Sequence, residues 1–351
     1  MASTRTQKAL VLPKQFDQFE LTTTEIYKPG KDEVLVKIHS AALNPVDWKI
    51  QKNPAFLKDY PAVLGTDIAG EVVELGEGVT QFAIGDRVLF QGIYGANRHN
   101  GFQQYAIAEI QTLAKIPSGI SYDEAASIPL ALTSAYVGLY NASPHGAGFD
   151  APVNPGARGK YADTPIAIIG GSSSVGQFAI QLAKLSGFNP IIATSSLAHE
   201  QFLKSLGATH VLDRFTPLTR ETVKSLTGSE QPIKIVYDAI SAEETQTTGF
   251  DLLSPGGQLV VTLRPQASIA EKAATEGKAV AQVIAGKNLP FNVKSIEALW
   301  PHATGLLDSG DIKPNRVEVL PNGLNAIVEG LKRMEEGKVS GTKLIVRPQE
   351  T

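Results

Sequence analysis

Ile166-Ala167-Ile168-Ile169-Gly170-Gly171-Ser172-Ser173-Ser174-Val175-Gly176 is the stretch on which the fold turns. It opens with branched apolar residues, the composition of a buried strand, and from 175 to 185 the apolar spacing becomes that of a helix. The glycines and serines between are small enough for a dinucleotide's pyrophosphate to approach the backbone at the positive end of that helix. Gly171, Ser172, Ser173, Ser174, Val175 and Gly176 are therefore the candidate phosphate contacts, with Gly176 also letting the helix pack on the strand. A stricter fingerprint has glycine where Ser173 stands, although serine is small and its hydroxyl can donate to phosphate. A turn of this composition that binds nothing would look the same in isolation; the strand before and the helix after favour the phosphate loop.

The same alternation continues outward. Strands are predicted at 191–194, 210–212, 233–240 and 258–263, and helices at 200–206, 218–226 and 245–253. Strands alternating with helices imply right-handed crossovers and a parallel, doubly wound sheet of the Rossmann kind. An NAD site wants an acidic residue at the end of the second strand, about 20 residues past the glycines. Here that place reads Thr194-Ser195-Ser196-Leu197-Ala198-His199, which would not repel the 2′-phosphate of NADPH, and Arg214 after the third strand can supply a guanidinium. Ser195, Ser196 and His199 can equally cap the next helix, and Arg214 can be a solvated charge; Glu200 is an acidic residue close by. NADPH is the expected cofactor.

Before this region the chain reads as β-rich. Apolar or alternating runs at 8–13, 19–26, 33–43, 65–78 and 85–90 are separated by turn residues such as Pro29-Gly30-Lys31-Asp32, and the glycine at each corner suggests a small, bent barrel. Ser121-Tyr122-Asp123-Glu124 fits a capping box opening an apolar stretch to Tyr140. Residues 143–165, rich in Gly, Pro and Ala, read as a long surface connection. After the alternating region, Leu324, Ile327, Val328, Leu331 and Met334 share one helix face, and 343–347 reads as a last strand returning to the first domain.

At 351 residues the chain exceeds the usual size of one hydrophobic core, so two domains are expected. A net charge of −3 without a basic run argues against nucleic acid or anionic membrane as partners. Zero cysteines exclude disulfides and thiolate metal sites, and the six histidines (His39, His99, His145, His199, His210, His302) show no helical ligand spacing. The opening residues carry no apolar signal core, and no apolar run reaches the ~20 residues that span a bilayer. A cytoplasmic protein is expected.

Asn44-Pro45-Val46-Asp47, Gly65-Thr66-Asp67-Ile68-Ala69-Gly70-Glu71, Gly85-Asp86-Arg87-Val88, the glycine/serine loop and Gly337-Lys338-Val339-Ser340-Gly341 together resemble the medium-chain dehydrogenase/reductases over nearly the whole chain. The resemblance implies an α/β protein: a discontinuous GroES-like β-rich barrel domain from 1–127 and 290–351, and a Rossmann NADPH-binding domain from 128–289. The family's zinc alcohol dehydrogenases carry a cysteine near Asn44 and a Gly-His-Glu where this chain has Gly65-Thr66-Asp67, so no metal is expected. Without zinc to make an alkoxide, hydride has to go to an acceptor already electrophilic, such as the β-carbon of a conjugated carbonyl. Within the zinc-free branch, Asn44 to Lys49, Leu132-Thr133-Ser134-Ala135 and the Ser172 to Val175 loop are most similar to fungal enoyl reductases and alkenal/enone double-bond reductases, then to quinone oxidoreductases.

That likeness implies an NADPH-dependent oxidoreductase that saturates the C=C bond of an α,β-unsaturated carbonyl. It places Val46, Asp47 and Lys49 beside the nicotinamide, and residues 133–140 facing substrate. Ser172, Ser173, Ser174, Val175, Ser195, Ser196, His199 and Arg214 hold the phosphates and ribose; Thr262, Leu263, Val339 and Ser340 flank the nicotinamide. Thr133, Gly171, Gly176 and Ile240 complete the cofactor set. A tyrosine is common in relatives where Arg214 stands. Lys49 is the candidate for stabilising enolate charge, against a solvated lysine on a short helix at 46–51, and Tyr94 or Tyr60 is a candidate proton donor, with water as the alternative. Asn44, Phe56, Tyr60, Tyr94, Thr133 and Trp300 are the candidate substrate wall, against ordinary packing. Alternatives are an enoyl reductase serving a polyketide synthase, a quinone reductase, and a silent NADPH-binding protein. The partner is a small molecule or a synthase, and the protein a monomer or homodimer.

Overall fold

A computed structural model describes residues 5–55 and 57–351. The β-rich part is built from two sheets over one core. In the smaller, β1 (Thr6–Leu12) lies between β2 (Glu20–Glu25) and β4 (Ala62–Val63), all antiparallel. The larger contains β3 (Glu33–Ala42), β5 (Asp67–Leu75), β6 (Arg87–Gln91), β7 (Tyr105–Glu109) and β8 (Leu113–Lys115), joined by β15 (Val317–Val319) and β16 (Lys343–Val346) from the other end of the sequence. β16 pairs antiparallel with β3, so the late strand returns as expected. Leu10, Leu12, Val34, Val36, Ile38, Val72, Val88 and Phe90 from both sheets share the core, together with Leu331 of α10 (Ile327–Glu335). Between β3 and β4, α1 (Pro45–Lys52) packs against α10.

The second sheet is wholly parallel. It is built from β9 (Ile166–Ile169), β10 (Ile191–Ser195), β11 (His210–Asp213), β12 (Ile235–Asp238), β13 (Gln258–Val261) and β14 (Ala279–Gln282), in the order β11-β10-β9-β12-β13-β14. The crossovers are α4 (Ser174–Ser186), α5 (Glu200–Leu206), α6 (Arg220–Thr227), α7 (Glu243–Leu252) and α8 (Ala267–Thr275). Because the strand order reverses at β9, a crevice opens outside its carboxyl end, where doubly wound sheets bind ligands. The helix α3 (Pro129–Tyr140) packs on α4; Tyr140 donates to the Leu182 carbonyl (3.1 Å), and Tyr237 of β12 donates to the Ser134 carbonyl (2.8 Å).

Several elements depart from expectation. The Ser121 capping box forms with both reciprocal bonds, but it opens only the short α2 (Tyr122–Ala125), ahead of α3. Residues 143–165 are irregular, as predicted, yet they are not merely a surface connection. Phe149, Tyr161 and Phe188 form an aromatic cluster with centroids 4.9–5.0 Å apart, and Ala151 and Ala157 are buried. The helices α8 and α9 (Pro290–Asp308) and strands β14 and β15 were not predicted. α9 carries Pro301 in its interior, which masks a helical pattern, and β14 is a short, half-exposed edge strand. Among the described residues no helix is long and apolar enough to cross a membrane.

Candidate active site

The crevice begins at Gly170, whose positive φ of 77° turns the chain sharply out of β9. Gly171 donates to the Thr194 carbonyl (2.8 Å) and Gly170 to the Thr194 hydroxyl (3.1 Å), tying the loop to β10. Ser173 caps α4: its hydroxyl oxygen accepts from the Gly176 amide (3.0 Å), which leaves the hydroxyl proton free to donate. A Cβ on Gly176 would lie 2.3 Å from the Gly170 carbonyl, so only glycine allows this approach. The first amides of α4 have no partner within the helix. Across the crevice, exposed Ile240 packs against Gly170, held by Asp238, which accepts from the Ile240 and Ser241 amides (3.0 and 2.8 Å). Ser241 accepts in turn from the Thr262 amide (2.7 Å), next to half-buried Leu263.

A second cluster forms at the end of β10. The buried Ser195 hydroxyl has no hydrogen-bond partner among the described residues. Ser196 caps the short turn that follows by accepting from the Ala198 amide (3.4 Å). Arg214 is fixed by its amide, which donates to the Ser195 carbonyl (2.9 Å), while its guanidinium lies over the Phe215 ring. Glu200 pairs with Lys204 at 2.7 Å, which occupies its charge. His199 touches two residues from the other end of the sequence: its Nε2 is 3.0 Å from the Ser340 hydroxyl, and its Nδ1 is 2.8 Å from Arg316 Nη2. A guanidinium can only donate, so Nδ1 is the acceptor and the ring proton sits on Nε2, donating to Ser340. Burial, and then the charges of Arg316 and Arg214, push the imidazole pKa down. Val339, beside Ser340, is half-buried against the β-rich core.

The third cluster is a buried polar network under α1. Asn44 caps this helix; its amide donates to Asp47 (2.8 Å), its side-chain NH₂ donates to Asp67 (2.8 Å), and its side-chain oxygen accepts from Lys343. Asp67 also pairs with Lys343 (2.9 Å) and accepts from the Leu130 amide at the start of α3. Above it, Thr66 and Tyr94 share a hydroxyl–hydroxyl bond of 3.0 Å. Burial, followed by the nearby Asp47 carboxyl, pushes the Tyr94 phenol well above its ordinary pKa, so it stays protonated at neutral pH. Val46 is half-buried at the start of α1. Lys49 is half-buried with its ammonium 5.6 Å from the Trp48 ring centroid; burial lowers its pKa, and it has no ion-pair partner among the described residues. The fully buried Thr133 hydroxyl near the start of α3, and the Tyr60 hydroxyl, also lack partners among the described residues.

Several expectations are corrected. Asn44 is not a free substrate contact, because both ends of its amide are committed to Asp67 and Lys343. Asp47 does not face a cofactor: it is fully buried and accepts from the Asn44 and Gly65 amides. Trp300 is 2 % exposed in the core, so it offers almost no surface to a ligand. From Ala135 to Tyr140 the helix α3 is buried, with Tyr140 committed to α4; Thr133 is buried as well and differs in that its hydroxyl has no partner among the described residues. Phe56 lies outside the described residues. Asp67, Lys343, Thr66 and Arg316 carry no site role in the sequence reading, although Thr66 and Asp67 belong to its Gly65–Glu71 motif. A lysine in the otherwise apolar run Lys343-Leu344-Ile345-Val346 was the available signal that a buried counter-charge exists. Among the described residues no group of three or more His, Asp and Glu side chains is placed to hold a metal.

The chain matches the family described as alcohol dehydrogenase GroES-like domain over residues 30–118 and the zinc-binding dehydrogenase family over 174–284. It is 34 % identical over 327 residues to the trans-enoyl reductase himH of Aspergillus japonicus, covering 90 % of this chain and 89 % of that one. It is 28 % identical over 340 residues to lovC of Aspergillus terreus, the enoyl reductase component of lovastatin nonaketide synthase, with the same coverage of 90 % and 89 %. The fold is that of the CurK enoyl reductase crystal structure, with a TM-score of 0.76 at 20 % identity over 97 % of this chain and 99 % of that one.

Proposed function

The chain belongs to the medium-chain dehydrogenase/reductase family, in its enoyl reductase branch, and on that premise we propose that it reduces the C=C bond of α,β-unsaturated carbonyls with NADPH and without a metal. The nicotinamide cofactor, when bound, supplies the hydride that adds to the β-carbon. Two buried hydroxyls without partners among the described residues, Ser195 and Thr133, fit such a ligand, and Gly176 lets α4 start hard against the turn that leaves β9. Ser172, Ser173, Ser174 and Val175 would hold the pyrophosphate at the α4 terminus, with Gly171 and Gly176 packing the loop closely on β10 and α4. Ser195, Ser196, His199 and Arg214 would take the 2′-phosphate and ribose. Ile240, Thr262, Leu263, Val339 and Ser340 would line the path toward the nicotinamide. Division into a 1–127 plus 290–351 catalytic domain and a 128–289 cofactor domain belongs to the same proposal.

The observation that carries the chemistry is Lys49, a half-buried ammonium without a carboxylate partner among the described residues. Such a cation is free to meet an oxygen as it gains enolate charge, where a preorganised donor is worth most. Tyr94, kept protonated, can then deliver a proton to the α-carbon, with Thr66 holding the phenol in place. A second reading, an enoyl thioester presented by a synthase, is favoured by the relatives described as a trans-enoyl reductase and a synthase component.

Purified protein given NADPH with a small enone, a quinone or an enoyl thioester, followed by cofactor absorbance, separates these. Turnover of the enone is expected. Turnover of the thioester alone supports the synthase reading, and consumption with none of them overturns the assignment as an enzyme.

A further inference from the structure

We propose that Arg316 is a second determinant of specificity for the cofactor's 2′-phosphate, reaching it from the opposite side of the crevice. This rests on the NADPH reading above and adds to it a residue outside the parallel sheet. Arg316 directly precedes β15, and its carbonyl accepts from the Lys343 amide (2.8 Å), which pins its backbone to β16. Its side chain crosses to the parallel-sheet side. There the guanidinium lies 4.1 Å from the Phe202 ring centroid, donates from Nε to the Gly341 carbonyl (3.2 Å), and donates from Nη2 to His199 (2.8 Å).

Three anchors hold this group in one pose, yet none of them is an anion. The arginine ion pairs among the described residues engage Arg5, Arg98, Arg158, Arg333 and Arg347, and neither Arg214 nor Arg316. Two guanidiniums therefore act on one neutral imidazole with no counter-charge between them. A fixed guanidinium without a carboxylate partner among the described residues, beside an imidazole that also feels the charge of Arg214, favours an anion, and a phosphate monoester matches the donor fork of arginine. Gly341 makes the approach possible: at φ 64°, a Cβ there would lie 2.6 Å from His199 and 2.7 Å from Arg316 Nη2. A phosphate bound here would also bridge the two sheets, which NADH, lacking it, could not do.

Binding of NADPH, NADH, 2′,5′-ADP and 5′-AMP should be titrated with the unaltered protein, Arg316→Gln and Arg316→Lys. For Arg316→Gln the expected result is a loss on the order of 10- to 100-fold for NADPH and 2′,5′-ADP, the scale of charge-assisted hydrogen bonds. NADH and 5′-AMP should be unchanged. Arg316→Lys, which keeps the charge without the fork, should recover part of the loss and serves alone if the glutamine variant does not fold. Equal weakening of NADPH and NADH would show a merely structural arginine and overturn the inference, as would undiminished NADPH preference in both variants. Equal affinity of the unaltered protein for NADPH and NADH would overturn the cofactor reading and this inference with it.

Discussion

Lys343 and Asp67 form an ion pair of 2.9 Å with side chains only 3 % and 0 % exposed, and Asp67 simultaneously binds Asn44 and the Leu130 amide. One carboxylate thus joins β16, α1 and the start of α3, the helix that carries Thr133. Lys343→Met would leave that charge buried and uncompensated, at a cost of about 3–5 kcal/mol. Urea unfolding measures this, and a variant as stable as the parent would contradict the role given to the pair. Replacing both partners together, Asp67→Asn with Lys343→Met, should cost less than the lysine change alone.

Asp47 introduces a pH dependence of stability. Burial raises its carboxyl from 3.8 to about 7; the Asn44 amide bond opposes this, and the Asp67 charge adds to it. Between about pH 4 and 7 the unfolded chain has released this proton while the folded chain retains it. The unfolded state then binds fewer protons, so stability falls as pH rises through that window and levels off above it. Unfolding midpoints of the parent and Asp47→Asn across pH 4.5 to 7.5 should show the parent losing ground to the variant. A constant gap would refute the assignment.

Lys49→Ala should lower turnover on the order of 100-fold, the scale of a lost electrostatic or general-acid contribution. The NADPH dissociation constant should change little. Because burial lowers the lysine pKa, the alkaline fall in rate should come at lower pH than an exposed lysine would give. Parallel losses in turnover and cofactor binding would place Lys49 in binding rather than in chemistry.

Gly176→Ala tests the phosphate loop. Its Cβ would sit 2.3 Å from the Gly170 carbonyl, so loop and helix must part. Overpacking of this kind costs about 1–3 kcal/mol, and NADPH affinity should fall with it. Lost stability with undiminished NADPH affinity would detach the loop from the cofactor.

Much of the parallel sheet was legible because buried strands and amphipathic helices leave distinct periods in the residues between 166 and 263. The Ser121–Glu124 capping box was legible because it is a local interaction. What escaped depends on residues distant in sequence. Nothing near Asp67 announces Lys343, and Arg316 in Pro314-Asn315-Arg316 resembles any loop charge until His199 is placed against it. Trp300, held in the core, and Asn44, held between Asp67 and Lys343, are opaque for a related reason: residue type alone says nothing about which side of the surface a group occupies. α9 was hidden by Pro301, whose cost in mid-helix is offset by the burial of Ile296, Leu299 and Trp300.

The pairing of β16 with β3 bears on the order in which the protein is made. During synthesis every strand of the parallel sheet leaves the ribosome before Lys343 does, so that sheet can take shape while the earlier-made β-rich part still lacks its final strand. Until then Asp67 has no counter-charge to be buried with, and the helix bearing Lys49 has no settled base. The half of the molecule translated first is therefore the half whose folding finishes last.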